Sequence, residues 1–419
     1  MTFAPMEALS DGLGGLDASR SKPLSEVAKG SYNYFADGDV LLAKVTPCFE
    51  NGKKAVATSL ANGIGFATSE VHVLRPDPER IDRSYLRYLL SSEPFRAAGM
   101  RSMTGAGGLR RVSEAAIKDF VLPTPDLDTQ KAIADVLDKE TARIDQLIEK
   151  KQRLVELLGE RVQANVYAVC TKGIRQDHEM VDSGIDWIGK MPRHWEVRPL
   201  RFFFAFRNEK NDPVRTNDIL SLSIARGVTP YSEEGRGGNK RKDDLTAYKL
   251  AYPGDIVLNS MNVIVGAIGR SDYFGAISPV YYAMKPRTVD FNPGYFEKLF
   301  MSRGFQRGLL RFGKGILMKK SGTGKLNTIR MKVSQSDLKN LPLPCPPKHE
   351  QDEISDYMTR EIGKLGVLSE RTTFSIDRLK EYRSALITAA VTGQIDVTRW
   401  GQTGEGDKRL DQIQEEMAG

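Results

Sequence analysis

The 419-residue chain contains one sequence pattern twice. In the first copy, Val121-Leu122-Pro123-Thr124-Pro125 leads through Gln130 into a long amphipathic stretch. In the second copy, Leu341-Pro342-Leu343-Pro344 leads through Gln351 into a similar stretch. The two copies are separated by far more than the roughly 20–50 residues of a solenoid repeat. The pattern therefore indicates a globular unit followed by a long helix, present in two copies whose surfaces have diverged.

The repeat extends upstream of the proline-rich segments. The matched pairs are Phe35–Val40 with Ala251–Ile256, Tyr85-Leu86 with Tyr295-Phe296, and Ser92–Phe95 with Ser302–Phe305. The segment Trp187–Val197 opens the second copy and has no counterpart before Gly38-Asp39 in the first. We therefore expect a shortened first unit whose stability and specificity are reduced, through either a truncation or a start codon assigned too late.

Composition favours a protein of the reducing cytoplasm with two to three domains. Hydrophobic residues make up 40% of the chain and charged residues 27%, which is ordinary for a globular protein. No apolar run approaches the roughly 18 residues of a membrane span. The chain has three isolated cysteines and four histidines, Cys48, Cys170, Cys345, His72, His178, His194 and His349. Their spacing matches no metal-binding motif, so we expect no metal site.

The basic residues are concentrated at matching places in the two copies. The net charge is +7, and the segment Arg303–Lys332 contains nine basic residues and no acidic one. In the first copy, Pro94–Ser113 contains four arginines and no acidic residue. Such stretches often form an ordinary solvated face, but their recurrence in a duplicated unit makes them candidates for contact with DNA phosphates.

Two heptad-like stretches predict long helices. Apolar residues recur at three- and four-residue steps from Asp126 to Lys172, and again after Gln351 as far as Gly393. The predicted seam consists of Ile133, Leu137, Ile144, Leu147, Leu154, Leu158, Ile354, Leu365, Leu368, Ile376, Leu379 and Leu386. Helices of about 40 residues run to about 60 Å and need a partner along the seam. An antiparallel pair within the chain is the favoured interpretation; packing of each helix on its own domain is the alternative.

Several basic and polar side chains are candidate DNA contacts. The set is Lys44, Asn51, Lys53, Arg101, Arg110, Arg111, Arg236, Lys240, Arg241, Lys319, Lys320, Lys325 and Arg330. Glycine-rich loops at Thr104–Arg111 and around Gly324 would let the backbone approach DNA closely, while lysine and arginine meet phosphates or guanine edges. A plain surface loop, or a hairpin turn at Asn51-Gly52, explains the same residues without DNA.

Two motifs resemble catalytic signatures but fail as such. Asn292-Pro293-Gly294-Tyr295 differs from the Asn-Pro-Pro-Tyr motif of amino-methyltransferases at its third position, and its counterpart Asp82–Tyr85 opens a predicted helix. We interpret it as a helix N-terminus. Gly322–Lys325 lacks both the first glycine of a phosphate-binding loop and the Ser or Thr that follows the lysine. No catalytic residue is therefore predicted.

The ordered motifs resemble the specificity subunits of type I DNA restriction–modification enzymes over nearly the whole chain. Ser183–Val197 is similar to the opening of a target-recognition domain in that family. Phe3–Met6, Gly38–Lys53 and Met103–Val112 are similar to one subclass of this domain. The entry to each long stretch, and Val391–Val397 at the end of the second, resemble the helical regions of the family.

The resemblance implies an α+β fold with two globular α/β target-recognition domains separated by two long helices packed as an antiparallel coiled coil. The implied segments are residues 1–124 (first domain), 125–175 (first helix), 176–343 (second domain), 344–396 (second helix) and 397–419 (a flexible tail). Each domain would read one half of a split target in double-stranded DNA. The helices would space the domains and dock two methyltransferase subunits, which restriction subunits would join.

On this interpretation the chain performs no chemistry and binds no cofactor. S-adenosylmethionine, ATP and Mg are expected on the partner subunits. The alternatives are a stand-alone DNA methyltransferase or nuclease, which would transfer methyl groups or cut without partners, and a scaffold whose helices bind proteins only.

Overall fold

The fold is described from a computed structural model. It describes residues 1–10, 15–27, 30–106, 108–121, 124–175, 177–224, 226–232, 244–312, 314–316, 330–397, 400 and 404–418. The chain forms two compact units. The first comprises Met1–Val155 with Glu370–Gly419, and the second comprises Glu156–Ser369. Each unit therefore contains part of both long helices, a different division from the expected succession of domain, helix, domain and helix.

The globular part of the first unit is built from short strands and helices. Its strands are β1 Thr2–Ala4, β2 Tyr32–Ala36, β3 Val40–Ala43, β4 Lys54–Val56, β5 Ile64–Thr68, β6 Val71–Leu74, β7 Thr104–Ala106 and β8 Leu109–Arg111. Its helices are α1 Leu24–Val27, α2 Arg83–Leu89, α3 Glu93–Arg101 and α4 Glu114–Lys118, with 3-10 turns at Met6–Ala8 and Ala61–Gly63. The first long helix, α5, runs over Leu127–Lys172.

The second unit has more strands. They are β9 Met180–Asp182, β10 Lys190–Pro192, β11 Glu196–Pro199, β12 Phe204–Arg207, β13 Leu220–Ser223, β14 Gly227–Pro230, β15 Lys249–Ala251, β16 Ile256–Asn259, β17 Ile268–Arg270, β18 Gly275–Ile277, β19 Tyr281–Pro286, β20 Lys314–Ile316, β21 Arg330–Lys332 and β22 Pro342–Cys345. The helices are α6 Leu200–Phe203, α7 Pro293–Met301, α8 Arg303–Leu309, α9 Gln335–Lys339 and the long α10 Lys348–Val391, with 3-10 turns at Val263–Val265 and Leu310–Phe312. A final helix, α11 Glu405–Ala418, belongs to the first unit.

The sheets are small and mostly antiparallel. In the first unit, β3 lies between β4 and β6, and β5 lies between β1, which is parallel to it, and β2. The second unit has a four-stranded sheet in the order β12-β19-β16-β17 and five two-stranded pairs. Together with the long helices, this confirms the expected α+β class.

A buried aspartate introduces the central strand of each unit. Asp39 precedes β3 and accepts a hydrogen bond from the Ala36 amide at 2.8 Å, while Arg75 contacts both its carboxylate oxygens. Asp255 precedes β16, accepts from the Tyr252 amide at 2.9 Å and pairs with Arg207 at 2.6 Å. The repeated Gly-Asp dipeptide thus fixes the turn into the strand, since a buried carboxylate requires hydrogen-bonded partners.

Segments of α5 and α10 pair antiparallel inside each unit. In the first unit Asp145 pairs with Arg383 at 2.9 Å, and in the second Glu353 pairs with Arg175, just beyond α5, at 3.6 Å. In the first unit the start of α5 and the end of α10 both meet α2, since Gln130 accepts from the Asp82 amide and Tyr85 donates to the Val391 carbonyl. Apolar residues of both helices enter the core of each unit, including Leu137 with Leu379 in the first.

The predicted seam residues differ in burial. Those that are buried are Ile133, Leu137, Ile144, Leu158, Ile354, Ile376, Leu379 and Leu386, and those that are half-buried are Leu147 and Leu365. Leu154 and Leu368 are 37% and 38% exposed. Each of these two lies within two residues of the end of the helical stretch that its unit contains.

A buried glutamine explains the repeated Pro-rich entry to each long helix. Gln130 accepts from the Asp82 amide at 2.8 Å and donates to the carbonyls of Pro125 at 2.8 Å and Arg80 at 3.0 Å. Gln351 accepts from the Asn292 amide at 2.9 Å and donates to Pro346 at 2.8 Å. In both units the glutamine joins the start of a long helix to the N-cap of a domain helix.

Those N-caps are the residues of the motif that resembles a methyltransferase signature. The Asn292 side chain accepts from the Gly294 amide at 2.8 Å at the start of α7, and Asp82 caps α2 through the Ser84 and Tyr85 amides. The interpretation of both tetrapeptides as helix N-termini is confirmed.

A buried tyrosine on each domain helix contacts the C-terminal end of the other long helix. The Tyr85 hydroxyl donates to the carbonyl of Val391, the last residue of α10, at 3.2 Å. The Tyr295 hydroxyl donates to the carbonyl of Cys170, near the end of α5, at 2.8 Å. The last four carbonyls of a helix have no partner within it, so each tyrosine satisfies a group that burial would leave unpaired.

The segment after α10 is helical and packed, which differs from the expected flexible tail. Leu410 and Ile413 of α11 are buried in the core of the first unit, together with Val397. Arg143 on α5 pairs with Asp407. The corresponding segment of the second unit follows α5. Its Trp187 and Trp195 are buried in the core of the second unit. Leu410 and Ile413 are one helical turn apart, and two apolar residues are too short a pattern to predict α11 from the sequence.

Among the described residues, no helix is both long and apolar enough to cross a membrane.

We predict that Gln130→Leu lowers the free energy of unfolding of the first unit by about 2–4 kcal/mol, because it leaves one buried amide and two carbonyls without a partner. Urea denaturation followed by circular dichroism measures this change. Gln152→Leu, at an exposed position of the same helix, is the matched control and should change stability by less than about 0.5 kcal/mol. Equal losses in the two variants would contradict the role assigned to Gln130.

Candidate nucleic-acid interface

The glycine-rich hairpin of the first unit is fixed beside the end of β3. The Val112 amide donates to the Lys44 carbonyl at 2.8 Å, and the Thr46 amide donates to the Arg110 carbonyl at 2.9 Å. The Thr46 hydroxyl donates to the Gly108 carbonyl, also at 2.9 Å. The two sequence segments that contain the candidate residues of this unit are therefore brought together on one surface.

Gly105 is required by the geometry of this hairpin. Its φ is +145°, and a Cβ at this position would lie 2.3 Å from the Leu109 carbonyl oxygen across the β7–β8 pair. An L-residue side chain would clash with the backbone here and adopt a disfavoured conformation. The glycine-rich composition thus permits a narrow exposed hairpin, whose strand residues are all exposed.

The candidate arginines of this hairpin surface differ in how strongly they are paired. Arg111 donates to both carboxylate oxygens of Glu70 at 2.8 and 2.9 Å, and this hydrogen bonding holds the pKa of the Glu70 carboxyl below its ordinary value. Arg110 lies 3.7 Å from Glu50 and its side chain is 55% exposed. Arg101, at the end of α3, is exposed. Arg110 and Arg101 are therefore better placed than Arg111 to meet a phosphate.

The remaining candidates of the first unit lie in the segment between β3 and β4. Asn51 is exposed in the turn between β3 and β4, and Lys44 is half-buried at the end of β3. The Lys53 ammonium donates to the Leu9 carbonyl at 3.2 Å. Asn51 is the candidate with an exposed amide of the kind that pairs with an adenine edge, whereas Lys53 already contributes to the fold.

Lys54 points into the core. Its side chain is buried, and its ammonium donates to the Gly52 carbonyl at 3.2 Å. Burial, together with the nearby cations Arg96, Arg383 and Arg87, lowers the pKa of Lys54 from 10.5 to about 7. A buried ammonium with cationic neighbours destabilises the folded state.

The second unit places its corresponding hairpin in the same way. The Val333 amide donates to the carbonyl of Ser260, the residue after β16, at 3.0 Å, as Val112 does to Lys44 in the first unit. Arg330 begins β21 of this hairpin. The other candidates of this unit, Arg236, Lys240, Arg241, Lys319, Lys320 and Lys325, lie outside the described residues, as does the Gly322–Lys325 motif.

A further basic surface of the second unit lies on α8 and the turn after it. Arg303, Arg307 and Arg311 are exposed and line a cleft of about 520 Å³ together with Glu160 and Tyr167 of α5. Arg311 donates to Asp186 at 3.1 Å. The spacing of four residues places the three arginines on one helical face. The acid-free composition of Arg303–Lys332 indicates a basic surface, but it does not show which residues share a face.

The histidines are not dispersed as their sequence spacing suggests. His178, His194 and Glu350 each offer a donor atom within 4.8 Å of the others. This grouping differs from the expectation that the chain forms no metal-ligand set, because residues distant in sequence meet where the β9–β10 hairpin contacts the start of α10.

Comparison with known proteins agrees with this architecture. Residues 25–157 match the family model described as "Type I restriction modification DNA specificity domain". The chain is 37% identical over 165 residues to the type I restriction enzyme EcoAI specificity subunit of Escherichia coli. That match covers 38% of this chain and spans 28% of the length of the EcoAI subunit.

Solved structures extend the similarity to the whole fold. A chain in a structure that concerns complex assembly and conformational transition of the type I R-M system has a TM-score of 0.63 at 16% identity, over 94% of this chain and 92% of that one. The HsdS subunit from Thermoanaerobacter tengcongensis has a TM-score of 0.51 at 16% identity, over 94% and 90%. Residues 25–157 are therefore similar to a type I restriction–modification DNA specificity domain, and the whole chain shares the fold of the HsdS subunit.

We predict that Arg110→Ala weakens binding to duplex DNA and reduces the slope of log affinity against log salt by about 1, because one phosphate contact is lost. Fluorescence anisotropy over a series of salt concentrations measures both. Arg80→Ala, at an exposed arginine outside the hairpin surface, is the control and should leave the slope unchanged. An unchanged slope for Arg110→Ala would remove this residue from the interface.

We also predict that Lys54→Met stabilises the first unit at pH 7, by on the order of a few kcal/mol. The pKa of Lys54 is lower in the folded state than in the unfolded state, so the unfolded state binds more protons between about pH 7 and pH 10.5. The penalty is complete below pH 7 and disappears as the pH rises through this window. Denaturation of variant and parent from pH 6 to pH 10 should therefore give converging stabilities, whereas exposed Lys131→Met should show no such trend.

Proposed function

We propose that the chain is the DNA-reading subunit of a type I restriction–modification complex and that each unit reads one half of a split target. The main support is the repeated hairpin, which is attached at the same place after the central strand of both units. The loops themselves differ in sequence, as two readers of different half-sites should. A two-stranded β-ribbon fits the major groove of B-DNA, where base edges present a distinct pattern.

Different side chains would perform different parts of this reading. Arg101 and Arg110 would contact phosphates and set the position of the first unit on the duplex. Asn51 is suited to adenine, which offers an acceptor and a donor in the major groove. Lys319, Lys320, Lys325 and Arg330 would act in the second unit, with Arg236, Lys240 and Arg241 as further phosphate contacts. Phosphate contacts determine position and base contacts determine sequence.

The long helices would serve as spacer and docking surface. A helix of 46 residues extends to about 70 Å. Each unit contains the start of one long helix and the end of the other. The half-sites would then be separated by about one turn of DNA. Two methyltransferase subunits would dock on the helices and bind S-adenosylmethionine, and restriction subunits would bring ATP and Mg.

The decisive experiment is co-expression with the methyltransferase subunit of the same system, followed by mapping of methylated adenines in the host DNA. We expect a motif with two defined halves and a fixed unread gap. The hairpin variant Gly105→Val should degrade only the half read by the first unit, because the clash with Leu109 is confined to that hairpin.

Two outcomes would contradict the proposal. A continuous motif without a gap would mean that the units do not read separate halves. Methyl transfer from S-adenosylmethionine to DNA by the purified chain alone would mean that it is an enzyme. Arg80→Ala serves as the control, and its methylated motif should match that of the parent.

A further inference from the structure

Three of the four histidines of the chain lie together in the second unit around one glutamate. His194 Nε2 lies 2.6 Å from Glu350 Oε1, and the ring centroids of His178 and His194 are 4.6 Å apart. His349 Nε2 lies 4.0 Å from the same carboxylate oxygen. Neither the proposed DNA-reading surface nor the helix pairing uses these residues.

The β9–β10 hairpin positions the first two histidines. Met180 pairs with Pro192 at the end of this hairpin, and the Arg193 amide donates to the Glu179 carbonyl at 2.8 Å one step further. His178 and His194 therefore face each other at the next step. The Arg193–Glu179 ion pair at 2.6 Å reinforces the base of the hairpin.

Glu350 is oriented by a neighbour that is not a metal ligand. It lies in the first turn of α10, its side chain is only 16% exposed, and its Oε2 accepts a hydrogen bond from the buried Trp195 indole at 2.9 Å. This leaves Oε1 directed at His194. Carboxylates that bind metals are commonly held in this way, with one oxygen hydrogen-bonded and the other available.

We propose that His178, His194 and Glu350 form a site for a divalent transition metal, zinc foremost, which joins the β9–β10 hairpin to the start of α10. Two imidazoles and one carboxylate suit zinc, whereas calcium and magnesium prefer oxygen ligands alone. A water molecule would complete the four-coordinate shell. The site is independent of the DNA-reading function.

The spacing of the donors is close to what zinc needs. Ligands at about 2.0–2.1 Å from a tetrahedral zinc are about 3.3 Å from one another. The donors lie within 4.8 Å of each other, with one pair at 2.6 Å. Small side-chain rotations would therefore suffice, and His194, which is 40% exposed, has room to make them. An adjoining cavity of about 110 Å³ is lined by His178 and Glu350.

The test uses the full chain, purified through an affinity tag without histidine and stripped with EDTA. Titration with Co²⁺ should give the visible absorption of a low-coordinate site at a stoichiometry of one, and Zn²⁺ should displace the Co²⁺. Zn²⁺ but not Mg²⁺ should raise the midpoint of thermal unfolding of the second unit. His178→Ala and Glu350→Gln should each weaken Zn²⁺ binding at least tenfold.

Exposed His349→Ala is the matched control, because this histidine adjoins Glu350 but lies outside the proposed ligand set. It should bind Zn²⁺ as the parent does. Far-UV circular dichroism in EDTA should show that the ligand variants are folded, and their unfolding midpoints should gain nothing from Zn²⁺. Absence of stoichiometric Co²⁺ binding, or equal weakening in His349→Ala and His178→Ala, would overturn the proposal and leave a hydrogen bond between His194 and Glu350.

Discussion

The fold depends on hydrogen bonds that bring the start of one long helix and the end of the other into the same compact unit. Gln130 joins the start of α5 to the cap of α2, and Tyr85, in the first turn of α2, donates to the end of α10. Gln351 and Tyr295 repeat both contacts in the second unit. Each of the four side chains is buried, and a buried polar group is costly unless it is hydrogen-bonded. Antiparallel pairing of the helices results, because a single unit contains opposite ends of the two.

Buried hydrogen bonds also fix the strands β3 and β16, which carry the proposed DNA-reading hairpins. A buried aspartate fixes the entry to each strand, and a backbone hydrogen bond fixes the hairpin at its far end. Each strand is therefore held at both of its ends. The bonds that hold the long helices, made by Gln130, Tyr85, Gln351 and Tyr295, lie outside these hairpins.

Elements that depend on local pattern were predictable from the sequence, and elements that depend on contacts between distant residues were not. The heptad spacing predicts α5 over Asp126–Lys172, and the structure has Leu127–Lys172. The repeated glutamine was visible as a motif, but its partners at Arg80 and Asp82 are tertiary. Likewise Lys53 and Lys54 are adjacent in sequence, and only the pleat of β4 makes the second a buried residue. The pairing of Arg111 with Glu70, which makes Arg111 a weaker candidate for DNA contact, could not be predicted from the sequence either.

The two units differ in the segment that follows the long helix ending in each. In the first unit, α11 packs on the core through Leu410 and Ile413, and Asp407 pairs with Arg143. In the second, a two-stranded hairpin occupies this place in the chain, and a pair of three-residue strands buries too little surface to be stable alone. The hydrogen bond from Trp195 to Glu350 and the contact between His194 and Glu350 attach this hairpin to the start of α10. A metal bound at the proposed site would raise the stability of the second unit, and the stability of the first unit would not change.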